Sequence, residues 1–96
     1  MASYKLSLLA EIDLLDIVES TIENWGRNKA REYALLIDEV LEKLVRYPEI
    51  GLQRNELYQN ARSFPAEKLI IYYCYANDTV KVARILHQRM DPTEHL

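Results

Sequence analysis

The chain opens with a short alternating stretch of polar and apolar residues, followed by a long segment of helical periodicity. Tyr4 to Leu8 alternates, which predicts a first strand with one covered face. Ser7 suits a helix N-cap, because its hydroxyl can accept a hydrogen bond from an amide of the first turn. Leu9 to Trp25 then predicts an amphipathic helix with an acidic face. Its expected core stripe is Ala10, Leu14, Ile17, Val18, Thr21 and Trp25.

A second helix is predicted from about Lys29 to Tyr47, because Pro48 cannot continue it. Gly26 suits the end of the first helix and Asn28 the cap of the second, so the two helices should form an antiparallel hairpin. The apolar positions of the second helix recur three and four residues apart. They are Ala30, Tyr33, Ala34, Ile37, Leu41 and Leu44.

Three short strands are predicted in the remainder of the chain, after an irregular or one-turn helical connection from Leu52 to Asn60. The stretch 61–65 contains a proline, which predicts an edge strand. The stretch 68–75 is β-branched and aromatic throughout, as in a central strand covered on both faces. Asn77-Asp78 should form the hairpin turn before an antiparallel strand from Val80 to His87. The order βααβββ predicts an α+β fold, with the helix hairpin on one face of a four-stranded, mostly antiparallel sheet and the other face open.

Composition limits the possible classes of protein. Ninety-six residues fit one domain, and no apolar run approaches the roughly 20 residues of a membrane span, so we expect a cytoplasmic protein without membrane contact. A net charge of −3 makes direct nucleic-acid binding by this chain alone a poor expectation. A protein or basic peptide partner is easier to justify. The single cysteine, Cys74, is predicted to pack as a small apolar side chain and not to act as a reactive thiol.

Polar side chains accumulate where the last strand ends. Alternation places Val80, Val82 and Arg84 on one face and Ile85 and His87 on the other, unless the strand bulges. Arg84 could be a functional group or a bidentate partner for a carboxylate in the segment 91–94. His87 could equally close the strand by hydrogen-bonding the backbone. The spacing of His87 and His95 matches no recognised metal-ligand pattern, and no cofactor motif is present.

The helix hairpin carries more apolar residues than one sheet needs to cover. Ile12, Leu15 and Ile22 on the first helix, and Leu36 and Val40 on the second, lie beside the core stripes. They predict either a wide core stripe or a docking groove for a partner helix.

Several short pieces of the chain, in this order and spacing, together resemble a known family. They are Leu6-Ser7 with Ala10 and Asp13-Leu14, Ile17 with Thr21, Trp25-Gly26, Ala30 with Tyr33, Leu44 with Pro48 and Gly51, and the run from Arg84 to Asp91 with His95-Leu96. The chain resembles the ParE toxins of type II toxin-antitoxin modules, in the RelE/ParE superfamily. The resemblance implies a plasmid- or chromosome-encoded toxin that inhibits DNA gyrase and is neutralised by a ParD-like antitoxin.

The resemblance also suggests roles for particular residues. Gyrase contact would fall to Arg84, His87, Arg89 and Met90, and antitoxin contact to Ile12, Leu15, Leu36 and Val40. The related RelE branch cleaves mRNA on the ribosome, and only Lys68, Arg84, His87 and Arg89 could fill its catalytic roles here. A degenerate toxin that binds antitoxin without arresting growth is a third possibility.

Overall fold

The computed structural model describes residues 3–96, in which two helices pack on one sheet. In chain order the elements are β1 (Ser3–Leu6), α1 (Leu8–Trp25), α2 (Arg27–Arg46), β2 (Leu52–Gln53), β3 (Arg62–Ala66), β4 (Leu69–Ala76), β5 (Thr79–His87) and a 3₁₀ turn (Pro92–Glu94). None of the helices in this part of the chain combines the length and the apolar character needed to cross a bilayer.

The sheet has the strand order β1-β5-β4-β3-β2, with β1 parallel to β5 and every other pair antiparallel. The predicted α+β class and the central position of β4 are therefore confirmed. The strand count is five and not four, because Leu52 and Gln53 pair with Ser63 and Arg62 inside a segment expected to be irregular or helical. Two residues are too few to give a readable alternation.

The helix hairpin forms where the pattern places it, with different capping. The predicted Ser7 cap is confirmed, since its Oγ accepts a hydrogen bond from the Ala10 amide at 3.0 Å. The predicted Asn28 cap is wrong, because α2 begins at Arg27 and has no side-chain cap. Gly26 ends one helix and starts the next, with φ of 90° and ψ of 170°, a conformation essentially restricted to glycine.

The core lies between the hairpin and one face of the sheet. Its helical side comes mainly from α2, and its sheet side from alternate residues of β4 and β5. The buried residues are Ala10, Ile37, Leu41, Leu44, Ala66, Leu69, Ile71, Tyr73, Val80, Val82 and Ile85. Trp25 was expected in this core and is not, since it is 76% exposed at the last turn of α1.

Two connections are fixed by specific contacts. Asn77 and Asp78 both have positive φ, which makes the predicted hairpin turn a type I′ turn. The Tyr73 hydroxyl accepts a hydrogen bond from Gly51 N and donates one to Pro48 O, which ties the loop after α2 to the sheet. A Cβ at Gly51 would lie 2.5 Å from that hydroxyl oxygen, so this close approach requires glycine.

The sheet face away from the helices is partly covered, contrary to the expectation that it stays open. Tyr72 is 2% exposed, and Leu86 on the same face is also buried. The Arg54 guanidinium lies 5.8 Å from the centre of the Tyr72 ring and donates a hydrogen bond to Ser63 Oγ at 3.3 Å. The loop between β2 and β3 thus occupies part of this face.

Candidate functional site

A groove of about 680 Å³ lies where the joined ends of the two helices overhang the end of the sheet. Its aliphatic and thioether lining residues are Ile17, Leu69, Ile85, Leu86 and Met90. The other lining residues are polar, charged or aromatic. They include Asp13, Asp16, Trp25, Lys29, Tyr33, Glu67, Lys68 and His87.

A bulge in β5 decides which side chains reach the groove. Tyr73 pairs with Val82 and Tyr72 with Arg84, so Ala83 is the extra residue. Arg84 and His87 do lie on opposite faces, but the faces differ from simple alternation. His87 pairs with Leu69 on the helix-covered face with Val80 and Val82, whereas Arg84 leaves that face.

His87 is held by the backbone that follows it. The Arg89 amide donates a hydrogen bond to His87 Nδ1 at 3.2 Å. An Nδ1 that accepts a hydrogen bond cannot carry a proton, so the neutral ring in this geometry bears its proton on Nε2. That N–H is then available as a donor to a ligand in the groove.

Lys68 and Met90 are brought to His87 by two linked turns. Lys68 lies in the two-residue turn between β3 and β4, beside Glu67 with φ of 55°. Its carbonyl accepts a hydrogen bond from Gln88 N at 2.8 Å, and His87 O accepts one from Met90 N at 2.9 Å. A cation, an imidazole and a flexible thioether therefore line one concave surface.

Arg84 does not itself line the groove, but it is paired with Asp13, which does. Its Nε and Nη2 donate to the two Asp13 carboxylate oxygens, each at 2.8 Å, and its Nη1 donates to His95 O at 2.9 Å. The prediction of a carboxylate partner in the segment 91–94 is therefore wrong, because the carboxylate comes from α1. The hydrogen bond with Asp13 raises the pKa of Arg84 above its ordinary value, although burial opposes the shift.

Asp13 is one of the acidic residues of α1, yet its side chain is only 11% exposed. Its Oδ2 also accepts a hydrogen bond from Ile85 N at 3.0 Å. β1 pairs with β5 only as far as Val82, so Asp13 supplies an acceptor to the strand edge beyond it. Arg84 thereby connects α1, β5 and the C-terminal segment.

The remaining predicted residues lie apart from the groove. Arg89 is exposed but does not line it. Ile12 and Leu15 are exposed on α1, whereas Leu36 and Val40 are half-buried and Val40 packs against the core. Across residues 3–96, no three His, Cys, Asp or Glu side chains are grouped closely enough to share a metal ion.

Four residues of the predicted core stripes also line the groove. They are Ile17, Thr21, Trp25 and Tyr33. The only sequence feature that indicated an exposed Trp25 was its position immediately before Gly26, where the first helix ends.

Comparison with known proteins identifies the class of protein to which this chain belongs. The structure of a chromosomal ParDE toxin-antitoxin system from Pseudomonas aeruginosa superposes with a TM-score of 0.77, covering 91% of this chain and 96% of that one at 21% sequence identity. This likeness shows a shared fold.

The sequence comparisons are more specific. Toxin ParE1 of Mycobacterium tuberculosis is 30% identical over 94 residues, covering 97% of this chain and 96% of the relative. Toxin ParE1 of Caulobacter vibrioides is 29% identical over 96 residues, covering 100% and 99%. The family model described as the ParE toxin of the type II toxin-antitoxin system parDE matches residues 4–92. The chain belongs to this family, which implies an antitoxin partner.

Proposed function

We propose that this chain inhibits DNA gyrase by protein-protein binding and is neutralised by a ParD-like antitoxin. The observation that carries the proposal is the groove that gathers Lys68, His87 and Met90 beside the exposed Trp25, in a chain of the ParE family. Aromatic and flexible apolar side chains beside a few polar groups suit protein recognition. Arg89, exposed next to the groove residues, would add a contact at its margin.

Binding is favoured over catalysis by the way the basic groups are distributed. An endoribonuclease of the RelE type would need Lys68, Arg84, His87 and Arg89 to act together. Here Arg84 is paired with Asp13 and does not line the groove, and of these four residues only Lys68 and His87 do. The net charge of −3 also opposes attraction to an RNA-rich target.

Purified chain in a gyrase supercoiling assay tests the target. We expect loss of supercoiling with accumulation of cleaved DNA, and growth arrest when the chain is induced in cells. Codon-positioned cuts in mRNA with unimpaired gyrase would contradict the proposal and support the endonuclease. Because gyrase acts on DNA in the cytoplasm, the proposal places the action of the toxin there.

For the antitoxin, the apolar surface of α1 is the better-exposed part of the proposed contact. Ile12 and Leu15 are available to a partner without rearrangement, while Leu36 and Val40 would contribute at the margin. Leu15→Ser should weaken binding of the antitoxin encoded beside this gene about 10- to 100-fold, since one buried leucine contributes roughly 1.5–3 kcal/mol.

Leu35→Ser is the matched control for that change. Leu35 on α2 is 58% exposed and Leu15 is 62% exposed, so both variants lose the same surface side chain. Equal antitoxin affinity for the two variants, measured by calorimetry, would contradict the assignment of the contact to α1.

A further inference from the structure

The outer side of α1 carries an apolar row that nothing in residues 3–96 covers. Leu8, Ile12, Leu15 and Ile22 are separated by four, three and seven positions, which places them on one side of the helix. All four are substantially exposed. Exposed apolar residues aligned on one side of a helix are typical of a protein-binding surface.

The charges beside this row all have the same sign. Within α1 there are five acidic residues and no lysine or arginine. Asp13 is the member paired with Arg84. The others are Glu11, Asp16, Glu19 and Glu23, and none of them appears in an ion pair among the residues that the structure describes.

Helical spacing places these carboxylates around the apolar row. Glu19 follows Leu15 by four positions and precedes Ile22 by three, so it lies on the row itself. Glu11 lies on one flank, and Asp16 and Glu23 lie on the other. A partner that covers the row therefore brings its own flanking side chains next to four carboxylates.

We propose that this row binds a basic amphipathic helix, with apolar residues three and four positions apart and lysine or arginine on its flanks. The proposal rests on the antitoxin function proposed above and specifies the chemistry of the antitoxin segment. Complementary charge accelerates association and disfavours other partners. A second copy of this chain is a poor occupant, because two α1 helices would oppose their carboxylates.

Two synthetic helical peptides test the charge requirement on the full chain. Both carry leucines at alternating spacings of three and four, with lysine on the flanks of one and glutamate at the same positions of the other. We expect the lysine peptide to bind at least about 10-fold more tightly at about 50 mM NaCl, with the difference reduced at about 300 mM because salt screens exposed charges.

Matched toxin variants locate the effect. Glu19→Gln with Glu23→Gln should weaken the lysine peptide about 5- to 20-fold, as expected for two exposed or partly covered charge pairs. Glu39→Gln with Glu42→Gln makes the same change in net charge on α2 and should leave the affinity unchanged. Leu15→Ser should weaken both peptides.

The outcomes separate this inference from the proposed function. Equal affinity for the two peptides, binding of neither, or equal effects of the two double variants would overturn the basic-helix proposal, whatever gyrase does. Conversely, failure to inhibit gyrase together with charge-dependent binding at Glu19 and Glu23 would contradict the proposed toxin activity alone.

Discussion

Asp13 makes more side-chain hydrogen bonds to other elements than any other acidic residue of α1. Its carboxylate accepts two hydrogen bonds from Arg84 and one from the Ile85 amide. The Arg84 and Asp13 side chains are only 15% and 11% exposed, so neither charge is compensated by water alone. Removing one partner of such a pair leaves the other charge without compensation.

Asp13→Ala should therefore lower the free energy of unfolding by about 3 kcal/mol, the cost of breaking a largely buried pair. Urea denaturation measures it, and Asp16→Ala on the same helix is the control, with a change within about 0.5 kcal/mol for an exposed residue. Equal losses of unfolding free energy in the two variants would mean that the Arg84–Asp13 pair does not specifically stabilise the fold.

Tyr58 offers a prediction about pH. Its hydroxyl oxygen is buried without a hydrogen-bond partner among residues 3–96. Burial, with a smaller contribution from Cys74, raises the pKa of Tyr58 from 10.0 to about 12. The unfolded chain would then ionise first, so the stability that depends on neutral Tyr58 is fully present below pH 10 and is lost as pH rises toward 12.

Tyr58→Phe should flatten the decline of stability between pH 10 and about 12, since phenylalanine has no proton to lose. At neutral pH the variant should be as stable as the natural chain or slightly more so, because no hydrogen bond is removed. Unfolding curves across this pH range measure it, with the exposed Tyr47→Phe as control. An unchanged slope in Tyr58→Phe would contradict the buried hydroxyl.

The limit of sequence reasoning at this scale is illustrated by Arg84. Its need for a carboxylate follows from the chemistry of guanidinium, and that requirement is correct. Its partner lies 71 positions away on α1, and no local pattern records such a distance. Proximity in sequence favoured the segment 91–94 and gave the wrong carboxylate.

At the scale of elements, Gly26 is the whole of the connection between the two helices. Its φ of 90° and ψ of 170° belong to a region that side chains avoid, yet a Cβ there would meet no atom within 4 Å. Substitution would therefore act through the backbone alone.

Gly26→Ala should lower the free energy of unfolding by about 1–3 kcal/mol, the cost of holding a non-glycine residue in this region. Thermal or urea unfolding followed by circular dichroism measures it. The adjacent Arg27→Ala controls for the location, and a Gly26→Ala variant as stable as this control would contradict the strain.

The long elements were predictable because their apolar spacing is repeated many times. Both helices and strands β4 and β5 lie close to their expected positions. The bulge at Ala83 could not be predicted, because one extra residue leaves no mark in an alternating sequence pattern. It nevertheless changes the sheet face of every residue after it. That single shift is what places His87 in the groove.

At the scale of the whole molecule, α1 contributes to two surfaces. Its apolar row faces outward, while Asp16 and Trp25 line the groove with Lys68 and His87. A partner seated on the row would lie next to the groove, which gives a physical route by which the proposed antitoxin could block the proposed target site. The groove itself was only partly predictable, because it depends on how far the hairpin extends past the sheet.

Gyrase supercoiling measured with groove variants tests the central claim most directly. The natural chain should abolish supercoiling, and Lys68→Ala with His87→Ala should weaken inhibition about 10-fold or more, as expected when two contact residues of a binding surface are removed. Lys5→Ala, at an exposed position of β1, should inhibit like the natural chain. Full inhibition by the double variant, or no inhibition by the natural chain at large excess over gyrase, would contradict the account.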